Sequence, residues 1–479
     1  MKKMYKFSGL FALLLVFILS GTVLASGKKP SEERLYVYSD SSVYKTMLGV
    51  KHEFKGAFST KGVARAKALE KLGLIKTEKV EEFNISAPPS SKCGDGYCQG
   101  FESILSCPSD CGGDEEDPVL TREYYPSDQY PWGIEMVNGG SGGDNVVVAI
   151  LDTGIDKSHL DLKYIDCFET LDNSVGMVCD AGNGHGTHVA GTVLAMGGDD
   201  GLGIYGVAPQ ADLMVGKVLY DDGTGWGDDL VVAIYEAVDR GANIISMSLG
   251  SVVSTQATQD AVRYANDNDV LVIAASGNYG DNIETINYPA AYKEVVAVGA
   301  IDANKNVTSF SIPGSIDDQN DEIISDGEIE FAAPGYNVYS TFLGGRYAYG
   351  SGTSMATPHI SGLAAKLWQG NGSFTRSYLR DLAVDISDTG YDIYTGYGMP
   401  VAPVFTCADN EINCGGVCKV PACSSDLTCD DGDSATIDTC VNPGTCEASC
   451  QNSTQVAVCG NRTCDPGETW STCPRDCKK

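Results

Sequence analysis

Five short, largely apolar runs dominate the middle of the chain: Val146–Leu151, Leu213–Leu219, Ile244–Leu249, Val270–Ala275 and Val295–Ile301. A half-exposed strand alternates polar and apolar residues, whereas runs with so few polar positions suit parallel strands buried on both faces. Helix-like segments lie between them, Asp228–Arg240 closed by Gly241 and Thr258–Asn268. Strands alternating with helices of this length imply βαβ units, so the chain reads as α/β, a doubly wound, mostly parallel sheet. Roughly 280 residues suffice for one such well-buried core. In open sheets of this kind ligands and reactive groups collect at the C-terminal ends of the strands.

Reactive residues stand at such places. AILDTGID puts Asp152 at the end of the first run, GNGHGTHVAGT holds His185 ahead of a helix-like stretch from His188 to Met196, and GSGTSMATPHISG opens a helix, Ser354 to Trp368, with Ser354. Pro358 falls in its first turns, where a missing N–H costs little. A serine hydroxyl needs a base to become nucleophilic, and that base needs a partner to fix its tautomer. Ser354 is therefore read as nucleophile, His185 as general base and then acid, and Asp152 as the orienting carboxylate.

With GTSMA and PH around Ser354, and HGTHVAGT around His185, the chain resembles the subtilisin-like serine proteases over roughly residues 128–405. The resemblance implies a fourth group, Asn278, which follows the strand-like VLVIAAS and would donate its amide N–H to an oxyanion. It also implies that an extended peptide lies between Gly223-Thr224-Gly225 and Ser248-Leu249-Gly250, paired through main-chain hydrogen bonds. Tyr279 and Asn287 would line the pocket for the residue before the scissile bond. Asn287 replaces a glycine common in the family, which predicts a shallow pocket for medium-sized or polar side chains.

The chain has five histidines, and four lie in these motifs: His159, His185, His188 and His359. His188 and His359 read as packing residues. A zinc pair at His185 and His188 is set aside, because no Glu or Cys nearby completes it. The resemblance implies structural calcium instead. Asp161 in SHLDL matches the family's carboxylate ligand, and the loop from Met196 to Ile204 occupies the place of its calcium loop. Asp200 would offer a carboxylate, Leu202 and Ile204 carbonyls, and Asp128 a further ligand, an all-oxygen set of the kind calcium takes.

Residues 1–25 carry Lys2, Lys3 and Lys6, then an apolar run ending in Val23-Leu24-Ala25, and read as a secretory signal; an uncleaved signal would be a membrane anchor. Eighteen cysteines fall in even groups: four in 93–111, two at Cys167 and Cys179, eight in 407–450 and four in 459–477. In an exported chain that pattern means disulfides. The groups at 93–111 and 459–477 share spacings of five, nine and four and end in CPxDC, so they are one small module used twice, flanking the α/β domain.

Charge divides the chain. Residues 27–92 carry 13 basic and 8 acidic side chains, and residues 93–479 carry 17 and 56. The first segment reads as a prodomain (27–86) that inhibits the enzyme intramolecularly, with a strand at Arg34–Tyr38, a helix at Ala64–Leu72 and a second strand at Lys79–Phe83. Opposite charges favour its docking. The acidic remainder does not suit nucleic acid. A secreted peptidase acting on proteins or peptides is the reading; cell-surface or matrix contact through the cysteine-rich modules, an adhesive protein on a protease scaffold, and a peptide ligase or cyclase using the same acyl-enzyme are the alternatives.

Overall fold

The computed structural model describes residues 33–85 and 129–404, apart from 172–178, 199–200, 281–285 and 316–323, with parts of 412–477. The signal sequence, the module at 93–111, Asp128 and Asp200 lie outside the described residues, as does most of 459–477.

The N-terminal body contains β1 (Leu35–Tyr38), α1 (Ser42–Leu48), β2 (Glu53–Phe54), β3 (Ala57–Thr60), α2 (Val63–Lys71) and β4 (Lys76–Lys79). Its strands form an antiparallel sheet in the order β2-β3-β1-β4. Period-two alternation sorts β1 between two surroundings. Leu35 and Val37 pack with Leu48, Phe58 and Ala66, while Tyr36 between them is buried in the core of the larger domain. The strand expected at Lys79–Phe83 is instead two. β4 ends at Lys79, and β5 (Glu82–Ile85) joins another sheet. The break falls at Val80 and Glu81, both buried: Glu81 accepts from the hydroxyls of Thr255, at 2.7 Å, and Thr258. A carboxyl side chain anchored there turns the chain out of the first sheet.

The larger domain runs α3 (Trp132–Met136), β6 (Val147–Asp152), β7 (Tyr164–Glu169), α4 (His185–Leu194), β8 (Asp212–Lys217), β9 (Thr224–Trp226), α5 (Gly227–Asp239), β10 (Ile244–Met247), β11 (Leu249–Gly250), α6 (Gln256–Asp267), β12 (Leu271–Ala275), β13 (Val296–Ile301), β14 (Phe331–Pro334), β15 (Val338–Phe342), β16 (Arg346–Gly350), α7 (Thr353–Lys366) and α8 (Gly372–Asp381). Seven strands form a sheet in the order β14-β13-β12-β10-β6-β8-β7, and every neighbouring pair is parallel. Both faces are covered. Val148 and Ile150 of β6 share a core with Val189 and Val193 of α4 and Ile360 and Leu363 of α7. Ala149 and Leu151 face Leu230 and Ile234 of α5 and Ala261 and Val262 of α6. Each large apolar side chain fully buried in this way stabilises the fold by about 1.5–3 kcal/mol.

After β6 the chain builds β7 and β8 on one side, then returns to build β10 through β14 on the other. The strand order therefore reverses at β6 and β10, where their C-terminal ends open a crevice. The edge strands β7 and β14 are absent from the sequence reading because Tyr164–Glu169 mixes polar with apolar residues and Phe331–Pro334 is four residues long. Cys167 in β7 is bonded to Cys179. Toward the C-terminus, Cys423 pairs with Cys440 and Cys429 with Cys450.

Candidate active site

The crevice at the reversal holds the three reactive residues. Asp152 ends β6 and is buried, with one carboxylate oxygen taking the Thr153 N–H at 2.7 Å. His185 is the first residue of α4, one residue earlier than its following glycine and three earlier than the helix expected from sequence. The Asn183 side chain accepts the His185 N–H at 2.9 Å and so holds the helix start. Gly186 lets α4 approach β6 closely, since a Cβ there would fall 2.2 Å from the Gly154 carbonyl oxygen. The result is that His185 Nδ1 sits 2.8 and 2.9 Å from the two Asp152 carboxylate oxygens. A carboxylate on Nδ1 leaves Nε2 as the basic nitrogen of the neutral ring.

Ser354 lies in the first turn of α7, where unpaired N–H groups and the helix dipole favour negative charge. Its Oγ donates to the Ser248 carbonyl at 3.1 Å, and Ser248 Oγ donates to the Ser354 carbonyl at 2.8 Å. Helix α4 packs on α7 through one shared core, and their N-terminal turns meet at Gly350, where an added Cβ would fall 3.1 Å from both His188 Nε2 and Met355 Sδ. Asn278 is buried, and its Oδ1 accepts the Thr353 N–H at 2.8 Å. Because Thr353 presents a donor, the amide must turn its oxygen there, and Nδ2 points the other way. Thr353 Oγ1 also takes the Gly277 N–H at 3.1 Å, so the end of β12 and the start of α7 are fastened together. A carboxylate-held imidazole, a helix-start hydroxyl and an oriented amide can together attack an acyl carbon and stabilise the resulting oxyanion.

The cleft beside them contains a peptide. β5 pairs antiparallel with both neighbours: Ile85 and Asn84 lie opposite Leu249 and Gly250, and Asn84, Phe83 and Glu82 opposite Thr224, Gly225 and Trp226. Ile85 N–H donates to the Gly223 carbonyl at 2.9 Å. Phe83 is buried in the same core as Leu219, Trp226, Leu230 and Leu249. Both cleft segments expected from sequence thus contact an extended strand, and that strand is the chain's own. Sequence reasoning missed it, although Val80, Phe83 and Ile85 ahead of a Pro-Pro pair were its signal. Tyr279 and Asn287 line a cavity of about 340 Å³ alongside β5, Tyr279 exposed and Asn287 buried.

His188 and His359 are enclosed. His188 Nε2 contacts the Val338 and Ala348 carbonyls at 3.0 and 3.1 Å, and His359 Nδ1 the Met355 carbonyl at 2.8 Å. Burial lowers both to a pKa of about 4, aided at His188 by nearby His185, so both are neutral packing residues at pH 7. His159 Nε2 contacts the Arg346 carbonyl at 3.0 Å. Lys217, which sequence reasoning passed over, donates to the Thr153 carbonyl at 2.6 Å and to Asp221 at 2.8 Å, bracing the loop after β6.

At the loop expected to hold calcium, Asp161 is fully buried and accepts from the Ile204 N–H at 2.9 Å and the Tyr347 hydroxyl at 2.6 Å. Gly203 packs so closely that a Cβ there would fall 2.0 Å from Asp161 Oδ1. The Ile204 carbonyl accepts the Gly197 N–H at 2.8 Å. Leu202 lies on the same turn, and Gln129, unforeseen from sequence, reaches the Gly201 and Gly203 carbonyls with its amide. The Asp161 carboxylate, packed against Gly203, and the carbonyls of Gly201, Gly203 and Ile204 are oxygen ligands of the kind a hard cation takes.

A family model described as the subtilase family matches residues 143–398. A subtilisin of Bacillus sp. (strain TA39) is 40% identical over 323 residues, 61% of this chain and 74% of that protein. Subtilisin DY of Bacillus licheniformis is 39% identical over 278 residues, 56% of this chain and 96% of its own. Among solved structures, sphericase is 42% identical with a TM-score of 0.56, covering 58% of this chain and 99% of its own.

Proposed function

Because the chain belongs to the subtilase family and is a serine-type endopeptidase, we propose that it is an exported enzyme that cleaves protein or peptide substrates through an acyl-enzyme on Ser354. His185 takes the Ser354 proton and returns it to the leaving amine, Asp152 holds the imidazole, and Asn278 with the Ser354 N–H receives the oxyanion. The observation that carries this reading is β5, an extended peptide paired with Leu249-Gly250 on one side and Thr224–Trp226 on the other. Its direction leads toward Ser248, whose carbonyl takes the Ser354 hydroxyl. A cleft that binds peptide main chain in this register presents a peptide bond to the nucleophile.

On the same reading the N-terminal body is a prodomain that inhibits by occupying the cleft with its own tail. Asp161, Asp200, Leu202, Ile204 and Asp128 form the calcium set, in a loop that Gln129 braces by donating to the Gly201 and Gly203 carbonyls; bound calcium would tie the loop down and raise stability through native-state binding. Export rests on the signal-like residues 1–25 and the disulfides. Among the described residues no helix is long and apolar enough to cross a membrane.

A serine-directed phosphonate tests the central assignment. Intact mass should show one adduct, on Ser354, with loss of peptidase activity. Ser354→Ala should remove activity, labelling and self-processing together, leaving residues 27–86 attached. A processed Ser354→Ala protein, purified without added protease, would refute the nucleophile.

A further inference from the structure

A ring of contacts holds Asp152 and His185, and it leads back to the peptide cleft. Lys217 ends β8 beside Asp152, its register partner on β6. The next two residues, Val218 and Leu219, donate their N–H groups to the Asp152 carbonyl at 2.9 and 3.2 Å. The Lys217 side chain is 9% exposed, and its Nζ donates to the Thr153 carbonyl at 2.6 Å and to Asp221 Oδ1 at 2.8 Å. Asp221 Oδ1 also accepts the Gly182 N–H at 3.2 Å, and the Asp221 carbonyl accepts the Asn183 amide at 3.0 Å. A Cβ on Gly182 would fall 2.2 Å from Asp221 Oδ2, so the carboxylate rests against bare backbone. Asn183 accepts the His185 N–H on Oδ1 at 2.9 Å and the Thr153 hydroxyl on its carbonyl at 3.3 Å. Thr153 Oγ1 accepts the Gly186 N–H at 3.1 Å. The ring therefore runs Thr153, Lys217, Asp221, Asn183 and back to Thr153, with both catalytic residues fastened to it.

The same ring reaches an edge of the cleft. Asp221 sits in a tight turn, where Gly223 N–H donates to the Tyr220 carbonyl at 2.9 Å and Tyr220 N–H to the Thr224 carbonyl at 2.8 Å. Gly223 has a φ of 77°, and its carbonyl accepts the Ile85 N–H at 2.9 Å. A Cβ on Gly223 would meet Ile85 Cδ1 at 2.5 Å, so peptide and turn are in close contact. A peptide in the cleft thus holds the turn two residues from Asp221. The Asp221 side chain is 34% exposed, and water competes for an ion pair so placed unless the chain around it is fixed.

We propose that Asp221 and Lys217 are a positioning pair that transmits peptide pairing at residues 223–226 to Asp152 and His185, raising turnover of extended peptides over short ones. This rests on the peptidase reading above and adds how that site responds to its substrate. Neither side chain touches the reacting atoms. Pairing fixes the turn at residues 220–224, and the fixed turn keeps Asp221 on Lys217 and Gly182. Those contacts keep Thr153 and Asn183 in place, and with them the carboxylate and the imidazole. Interactions made with a remote part of a substrate can in this way raise turnover rather than affinity. Misplacing a reacting group by about 1 Å costs about a hundred-fold, so a loosened ring is read in kcat.

The test compares two esters that share a leaving group and the residue next to it. One is a single-residue ester, too short to reach Gly223, and the other extends four residues further along the cleft. Wild type, Asp221→Ala, Lys217→Met and the double variant are matured in trans by tagged wild-type enzyme, which is then removed. Phosphonate labelling of Ser354 counts active sites, and thermal unfolding checks the fold. Wild type should turn over the extended ester faster. Asp221→Ala should lose at least about ten-fold more kcat on the extended ester than on the short one, with KM moving less than kcat. Lys217→Met should show the same selective loss, and the double variant should lose no more than the larger single, because both act through one contact. Should Lys217→Met fail to fold, Asp221→Ala, at a partly exposed position, decides alone. Equal losses on both esters would reduce the pair to a general brace and overturn the transmission. Losses that add in the double variant, or a labelled wild type without preference for the extended ester, would overturn it too while leaving the peptidase intact. Absence of labelling and cleavage in wild type would overturn both readings.

Discussion

The N-terminal body and the seven-stranded domain stabilise themselves in different ways. The larger domain encloses two apolar cores, one on each face of its sheet. The N-terminal body owns a single small cluster, Leu35, Val37, Leu48, Phe58 and Ala66, and its Tyr36, Val80 and Phe83 belong to the larger domain's core. Its remaining face is charged: Arg34 donates to Asp228 at 2.7 Å and to Asp229 at 3.0 Å, and Lys51 and His52 contact Asp229, the His52 contact at 2.7 Å. Ser59 adds a bond to Asp228 at 2.7 Å, and the Arg34 guanidinium lies 4.9 Å over the Trp226 ring. All these groups are buried. One body is complete, and the other is finished by its partner.

The sharpest way to break that contrast is to separate the two. A domain of about fifty residues is marginal alone, and five apolar side chains do not offset the conformational entropy of ordering it. Segment 27–86 by itself should show no cooperative thermal unfolding. It should gain helical and near-ultraviolet circular dichroism on mixing with phosphonate-inactivated mature enzyme. A cooperative transition in the isolated segment would show that its own core suffices.

Next in size is Arg34→Ala. In the free mature enzyme Asp228 and Asp229, at the start of α5, regain water; in the complex they stay buried and lose their principal cation. Breaking such a pair costs about 3–5 kcal/mol, so inhibition by added 27–86 should weaken by a hundred-fold or more. A loss under three-fold would mean that Lys51 and His52 carry the contact without it.

A smaller effect comes from Glu81. Burial raises its pKa from 4.5 to about 7 in the docked state, against the lowering influence of its bonds to Thr258 and Thr255. The docked complex therefore holds a proton that the separated segment has released. Glu81's contribution is complete below about pH 4.5 and is lost as pH rises through about 7, up to ten-fold in affinity per pH unit between. Calorimetric titrations of inactivated enzyme with 27–86 should show this weakening, and Glu81→Gln should flatten it. Tighter binding on going from pH 5 to pH 7 in wild type would reverse the sign and sink the assignment.

What the sequence made legible follows from how local each signal is. The buried parallel strands were readable within a residue or two because two-sided burial forces a continuous apolar run. The residues of the crevice were readable because their chemistry needs particular types beside glycines that permit close backbone approach. The strand at Lys79–Phe83 misled because Val80, Glu81 and Phe83 are shaped by another domain: alternation marks β5, but nothing local says that Glu81 is anchored on Thr255 and Thr258. Gln129 escaped for the same reason, since its partners are carbonyls 72 and 74 residues away. Pairing between domains leaves a weak trace in a single segment, and opposite net charge is a blunt one.

That charge difference underlies the smallest effect. The basic body and the acidic remainder attract at long range, and this attraction is screened within about 8–10 Å at physiological salt. The contacts that hold the complex are of another kind: Arg34 and Asp228 are each 0% exposed, and buried pairs are screened much less. Salt should therefore act on encounter rather than on release. Raising sodium chloride from about 10 to 150 mM should slow association of 27–86 with the mature enzyme by about ten-fold, within the range that electrostatic steering spans. The dissociation rate should change by less than about two-fold, because neither the paired main chain of β5 nor the buried cluster meets solvent ions. Stopped-flow measurement of both rates separates the two. A dissociation rate that climbs with salt in step with the fall in association would place the decisive ion pairs at the exposed rim, and the buried Arg34–Asp228–Asp229 cluster would lose its role as the lock.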